Sequence, residues 1–412
     1  MTERIDILAR KDGASLPFPP DPIAAVRHAD PYPYYADLLA KKPLYRDAAL
    51  GVWVASSAKA VTAVLTSERC RVRPPIEQVP KELSGSAAGE IFRHLVRMND
   101  GRGHCPFKQA VLAATGSIDI IEAARQSCKS ARYLSGKLMP QVDRRRLLDF
   151  AFELPVYVVA SLLGIPQIKL AQTALWIGDF VRCLAQGSSC EQMTRGKLAA
   201  EHLLELVGSR FVNQQGSPAS LLAALGREAM RVGLEDASVV SANAIGFITQ
   251  AYEATAGLIG NTLLTLATHG ELRELVRAEP NLLGDVVREV ARYDPPIQNT
   301  RRFVAESGIV AGQEMKESEA ILVVLAAANR DPAANPFPAQ FDIFRKTGRN
   351  FTFGVGVHRC PGEALATTIA KAGIQELLHL GIDPDTLADS VSYRASANAR
   401  IPVFDAPAKG DG

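Results

Sequence analysis

Apolar residues recur at helical spacing from about residue 90 to 280, broken only at "ATGSID", "LGIPQ", "AQGSSC" and "NQQGSPAS". A 3.6-residue period with turn-forming breaks predicts a succession of helices. "YPYYADLLAKK" (32–42) has the same spacing, whereas "PLYRDAALGVWVASSAKAVTAVL" reads as two short strands followed by a helix. Residues 236–268 form one long helical stretch without proline, with Asp236 suited to cap its start and Gly270 to end it. Beyond residue 293 prolines multiply, and strand-like segments appear in "SGIVAG", "AILVVLAAA" and "SYRASANARIPVF". No internal repeat or flexible linker interrupts the pattern. The fold class it predicts is mainly α with a minor β part, a single domain over 1–412 with a loose start (1–16) and a tail (406–412).

Composition narrows this picture. Apolar residues make up 47% and aromatics 6% of the 412, which favours a large helical core. The net charge of +2 creates no field that would select nucleic acid or an anionic membrane. The start, "MTERIDILARKDG", has no apolar core of a signal peptide. "LDFAFELPVYVVASLLGI" (148–165) carries Asp149, Glu153 and Pro155 and reads as a buried helix rather than a span. A cytoplasmic monomer is expected. Cysteines 70, 105, 128, 183, 190 and 360 form no CxxC pair, and five of them read as small buried hydrophobes. Metalloprotease, phosphate-loop, nucleophile-elbow and dinucleotide motifs are absent.

Cys360 is different. It lies in "FTFGVGVHRCPGEALATTIAKAG" (351–373), just ahead of an alanine-rich helix. Pro361 suits the first turn of that helix, whose free N–H groups and dipole favour a thiolate. Gly354, Gly356 and Gly362 keep side chains away, so a flat, bulky group can lie against the backbone.

Phe353, Gly356, His358, Cys360 and Gly362 stand in the order F-x-x-G-x-H-x-C-x-G, which resembles the haem-binding loop of the cytochrome P450 family. The resemblance implies haem b (iron protoporphyrin IX) with Cys360 as axial ligand, and His358 on a propionate. Thiolate ligation pushes electron density onto the iron and favours O–O cleavage. "EVAR" (289–292) is similar to the family's E-x-x-R, and Arg345 would complete a structural triad with Glu289 and Arg292. "DGRGHCPFKQAV" (100–111) resembles the H-x-x-x-R segment, implying His104 and Lys108 at the other propionate, with lysine replacing the usual arginine. In "PPIQNTRRFVAE" (295–306), Arg302 falls at a propionate position, with Arg301 its exposed neighbour. The resemblance runs from about residue 17 to 405 and implies a long central helix over the haem.

In that helix the family's A-G-x-(D/E)-T-(T/S) aligns with "QAYEAT" (250–255). Glu253 keeps the acid that moves protons for dioxygen activation. Ala251 replaces glycine, and Ala254 replaces the threonine. Thr255 is one residue on, about 100° around the helix. Three readings stay open. In the first, a monooxygenase uses a substrate hydroxyl or ordered water in place of the missing side chain, and the retained Glu253 makes this the preferred one. In the second, a peroxygenase or another haem-thiolate reaction, such as nitration or dehydration, dispenses with the relay. In the third, Thr255 serves through a π-bulge. A protein of another class, binding or sensing a ligand without turnover, is a further alternative.

The family further implies a small organic substrate and electrons from a separate ferredoxin or flavodoxin with its reductase, since no redox domain is expected past "FDAPAKGDG". Arg359 belongs to the expected docking face. Phe180, Phe247, Gln250, Ala251 and Tyr252 are the candidate pocket residues.

Overall fold

The computed structural model describes residues 16–101, 104–185, 187–213, 217–388 and 391–404. The stretches expected to be loose, 1–16 and 406–412, lie outside these apart from Leu16. The helices are α1 (Tyr32–Lys41), α2 (Ala58–Leu65), α3 (Ala87–His94), α4 (His104–Gly116), α5 (Ile120–Leu138), α6 (Arg146–Leu162) and α7 (Gln167–Cys183). They continue with α8 (Cys190–Val212), α9 (Leu221–Arg231), α10 (Ala237–Thr268), α11 (Gly270–Ala278), α12 (Leu283–Tyr293), α13 (Leu325–Asn329) and α14 (Glu363–His379).

The 32-residue α10 is the axis of the packing. It touches α3, α6, α7, α8, α9, α12 and α14, so its apolar residues point in every direction instead of forming one stripe. Asp236 caps its start through an acceptor bond from the Ser238 N–H. Gly270 does not end it: the chain turns at His269, and Gly270 opens α11 directly. Two glycines let other elements touch the α10 backbone. A Cβ at Gly257 would lie 2.9 Å from the Arg400 carbonyl oxygen, and one at Gly260 would lie 2.8 Å from Pro402. The segment 148–165, read as a buried helix, is most of α6, with Pro155 inside it.

The β part is small. Strands β1 (Leu44–Asp47), β2 (Val52–Ala55), β3 (Cys70–Arg71), β4 (Thr300–Val304) and β7 (Ala320–Val323) form a sheet of order β1-β2-β7-β4-β3. The β2–β7 pair is parallel and the other pairs are antiparallel. β5 (Gly308–Val310) with β6 (Gln313–Met315), and β8 (Val391–Tyr393) with β9 (Pro402–Phe404), form two hairpins. "AILVVLAAA" divides into strand β7 and helix α13, because the apolar run alone carries no period to separate them. Cys70 and Cys183 are buried as expected, whereas Cys105 and Cys190 are exposed and Cys128 is half-buried. Both exposed thiols sit in the first turn of a helix that faces solvent.

A second buried hub ties the chain's beginning to its end. The Arg400 guanidinium meets Asp294 at 2.9 Å and donates to the carbonyls of Val26, His28 and Ala29 at 3.1, 2.7 and 3.0 Å. Among the described residues, no helix is long and apolar enough to cross a membrane.

Gly257→Ala is expected to destabilise the protein by about 1–3 kcal/mol through overpacking against a backbone that cannot retreat. Gly136→Ala, where an added Cβ meets nothing within 4 Å, should be neutral or stabilising by about 0.5–1 kcal/mol. Urea unfolding of both variants checks the contrast.

Candidate active site

The site is built outward from a buried ion pair. Glu289 and Arg292 occupy one face of α12, and the guanidinium grips the carboxylate with two bonds, at 2.9 and 2.6 Å. The remaining Arg292 donors reach the carbonyls of Asn329, Pro338 and Gln340 at 3.3, 2.9 and 3.0 Å. Arg345 joins from the other side, 3.4 Å from Glu289, while the Asp342 N–H donates to the same carboxylate at 3.0 Å. The one carboxylate is shared by two guanidiniums and every Arg292 donor is used, which is the condition under which a buried pair is tolerated.

This cluster leads directly to the cysteine loop. Asn329, fully buried at the end of α13, accepts from the Phe351 N–H at 2.6 Å and donates to the Thr352 hydroxyl at 2.8 Å. Thr352 in turn donates to the Ala291 carbonyl at 2.5 Å. The loop then folds back: the Cys360 N–H bonds the Phe353 carbonyl at 2.8 Å. Gly354 and Gly356 sit at φ +70 and +72, left-handed backbone that a side chain would strain. A Cβ at Gly356 would come within 3.3 Å of the Leu65 carbonyl, so the loop lies against the end of α2.

Pro361 is not in the first turn of the next helix. α14 begins at Glu363 with Gly362 as its cap, and the Gly362 N–H points at Cys360 Sγ, 3.3 Å away. Burial pushes the thiol above its ordinary pKa, whereas that N–H bond and the Lys108 charge pull it down. The helix end therefore favours the thiolate as expected but does not by itself outweigh desolvation.

The basic residues are arranged less simply than their spacing implied. His358 Nε2 bonds Asp100 at 2.9 Å, and Asp100 also accepts from the Val72 N–H at 3.0 Å. Burial works against ionising Asp100, but those two bonds hold its carboxyl below the usual range. Lys108 Nζ donates to the Arg359 carbonyl at 2.9 Å and so braces the cysteine loop. Arg301 is half-buried rather than exposed. Arg302, on the inward face of β4, is buried with its guanidinium bonded only to the Arg301 carbonyl among the described residues; burial lowers its pKa. The His104 ring lies tilted against that of His358 with centroids 4.5 Å apart, and its Nε2 is buried without a partner among the described residues. Burial, with the charges of His358 and Lys108, pushes His104 down to about 4.

These features fit a haem. The buried His104 Nε2 has no partner and the buried Arg302 guanidinium has a single carbonyl acceptor among the described residues, so both could serve a propionate, and the glycine backbone beside the thiol leaves room for a flat ring. Residues that would hold it are Cys360, His104, Arg302, and the loop around Phe353, Gly354 and Gly362.

On α10, Phe247, Gln250, Ala251 and Ala254 keep accessible surface in the middle of a buried helix. Their spacing of i, i+3, i+4 and i+7 puts them on one face. Thr255 is wholly buried off that face, its hydroxyl without a partner, and α10 runs through it as regular helix without a bulge. Glu253 is about a quarter exposed and ion-paired to Arg394 at 2.9 Å, just past β8. Two pocket candidates lie elsewhere. Phe180 is fully enclosed in the main core, and the Tyr252 ring lies tilted against Phe152 with its hydroxyl against Gly178. Both point away from the open face because they pack α6 and α7 onto α10.

Asp100, Asn329 and Arg394 escaped the sequence reading. Asp100 meets its partner 258 residues away, and Arg394 is 141 residues from Glu253, so no local spacing marks them. The one available signal for Arg394 was its place in the strand-like segment "SYRASANARIPVF".

A cysteine loop under a long helix, stapled by a Glu–Arg pair, defines a haem-thiolate class of enzyme. The Cytochrome P450 family model matches residues 233–380. The 6-deoxyerythronolide B hydroxylase of Saccharopolyspora erythraea is 29% identical over 90% of this chain and 93% of its own. The biotin biosynthesis cytochrome P450 of Bacillus subtilis is 26% identical over 85% and 88%. Among solved structures, CalO2 superimposes with a TM-score of 0.77 at 27% identity, covering 94% of this chain and 98% of that one. P450BioI, solved with a hexadec-9Z-enoic acid-ligated acyl carrier protein, shares the fold at TM-score 0.75 and 24% identity, over 90% and 96%. The chain belongs to the cytochrome P450 family and is an oxidoreductase of the monooxygenase type. The family's haem carries an axial cysteine thiolate.

Arg292→Leu is expected to cost about 3–5 kcal/mol, because it leaves the buried Glu289 carboxylate only the Asp342 N–H and a longer contact from Arg345. Urea unfolding and the Soret absorbance per protein should fall together; a loss below about 1 kcal/mol would contradict the central role of the pair.

Proposed function

We propose that this chain inserts one oxygen atom from O2 into a small organic substrate at a haem b ligated by Cys360. When bound, the haem supplies dioxygen activation and the oxidising power. The protein's part is to hold the thiolate, seat the propionates on His104 and Arg302, and bring protons to the open face of α10. The observation that carries this reading is the Glu253–Arg394 pair, at 2.9 Å with both side chains about a quarter exposed. A carboxylate so placed can exchange between Arg394 and the open face, which is what a proton carrier needs. Ala254 offers no hydroxyl and Thr255 is turned away, so the second proton donor is water or a substrate hydroxyl. A passive ligand sensor would have no use for this acid.

Electrons would come from a separate ferredoxin or flavodoxin. An open groove of about 940 Å³ between α4, the cysteine loop and α14 carries Lys108, Arg288 and Arg359 along its lining. Its cations suit an acidic partner on the thiolate side. Arg359 also pairs with Glu363 at 3.1 Å, which moderates its charge.

The first test is spectroscopic: ferrous protein with carbon monoxide should give the thiolate-haem spectrum, and Cys360→Ala should lose it. Glu253→Gln should then slow O2-driven product formation by about 10²-fold. Retained O2-driven turnover in that variant would remove Glu253 from the mechanism. Peroxide-driven turnover alone, insensitive to the substitution, would favour a peroxygenase.

A further inference from the structure

We infer that Gln250 sets which substrates are accepted: its amide oxygen takes a hydrogen bond from a hydroxyl on an otherwise apolar molecule lying against α10. This rests on the proposed function and names the substrate class for that same site.

The amide is fixed at one end. Gln250 Nε2 donates to the Gly246 carbonyl, one turn back, at 2.9 Å. A carbonyl can only accept, so the chemistry settles which end of the amide faces it: the nitrogen. That nitrogen lies 3.4 Å from the point a Gly246 Cβ would occupy, and Leu95 Cδ2 lies 2.7 Å from the same point. The nitrogen end is thus held against the helix beside Leu95. Oε1 is the open end, and among the described residues nothing donates to it. Gln250 is exposed, although most of α10 around it is buried.

The contact with Leu95 also places this side of α10 relative to the cysteine. One residue on, the Val96 N–H donates to Asn243 of α10 at 2.8 Å. Asp100 then bonds His358 of the cysteine loop at 2.9 Å. The four residues between those anchors span at most about 14 Å when fully extended. Val96–Met98 is a 3₁₀ turn, which shortens the run further. The side of α10 that carries Gly246 and Gln250 is therefore tethered to the cysteine loop, and a ligand held by Oε1 lies on that side.

The neighbours of Gln250 on the open face, Phe247, Ala251 and Ala254, are all apolar. Glu253, the next polar group, is taken up by Arg394. One acceptor on a hydrocarbon wall calls for one donor on a hydrocarbon body. An ammonium would leave a desolvated cation unmatched, because the Glu253 charge is already paired. An ether, a ketone or a carboxylate has no proton to give. A neutral donor, of which the hydroxyl is the simplest, satisfies Oε1 without bringing a charge. Gln250 and Ala254 are four residues apart on one face, so the bound hydroxyl lies near the position where α10 lacks one of its own.

Holoenzyme is titrated through its ferric Soret band with cyclododecanol, borneol and decanol, each beside its methyl ether, which can accept a hydrogen bond but not donate one. At least one alcohol should bind roughly 5- to 10-fold more tightly than its ether, the range of a neutral hydrogen bond. Gln250→Leu should erase that ratio by weakening the alcohol alone, with ether affinity, haem content and the carbon monoxide spectrum unchanged. A parallel loss of alcohol and ether would give the amide a merely structural role and overturns the inference. It is equally overturned if no alcohol binds, if every ether binds as tightly as its alcohol, or if the ratio survives in Gln250→Leu. A wild-type protein lacking the thiolate-haem spectrum would instead defeat the functional reading beneath it.

Discussion

The buried Glu289–Arg292 pair is the interaction on which the site depends. Two ions without water are costly unless every lone pair and proton finds a partner. Here the surplus donors are spent on three carbonyls from the segment between α13 and the cysteine loop, and Arg345 closes the cluster. The energy that makes the pair tolerable is thus the same energy that fixes an otherwise irregular stretch of chain. Asn329 passes this constraint to Phe351 and Thr352, and the loop's own Cys360–Phe353 bond delivers it to the thiol.

Against that fixed lower wall, α10 provides an upper one. It is buried nearly all round, so its single open face is set by what fails to pack there: two alanines, one phenylalanine and a glutamine. Replacing the usual hydroxyl by Ala254 moves the burden of proton delivery to Glu253 and its tether Arg394. Residues 95–100 are tied to α10 by the Val96–Asn243 bond and to the cysteine loop by the Asp100–His358 bond. Positive charge is placed apart: Arg302 buried on β4, Arg394 on the acid.

Much of this was legible from residue order. Helical period, breaks and caps marked α1, α2, α10 and the helical run up to α11, and the cysteine loop, E-x-x-R and long-helix segments pointed to the family. Glu289 and Arg292 are three apart on one helix, so spacing alone brings them together. The weaker expectations were those that needed a side chain's environment. Lys108, expected at a propionate, donates to the Arg359 carbonyl, a contact its spacing did not signal. Phe180 and Tyr252 were expected at a cavity wall and pack helices together.

What the sequence by itself determined, then, is the set of elements, the thiol ahead of a helix, and the acid kept beside a lost hydroxyl. These follow from short-range periodicity and from motifs a few residues wide. Only the tertiary structure decided that Glu253 is held by Arg394 and that His358 is held by Asp100. Each depends on chain segments more than a hundred residues apart meeting in a desolvated place. Charge pairing in such a place is set by distance and burial, which no local pattern encodes.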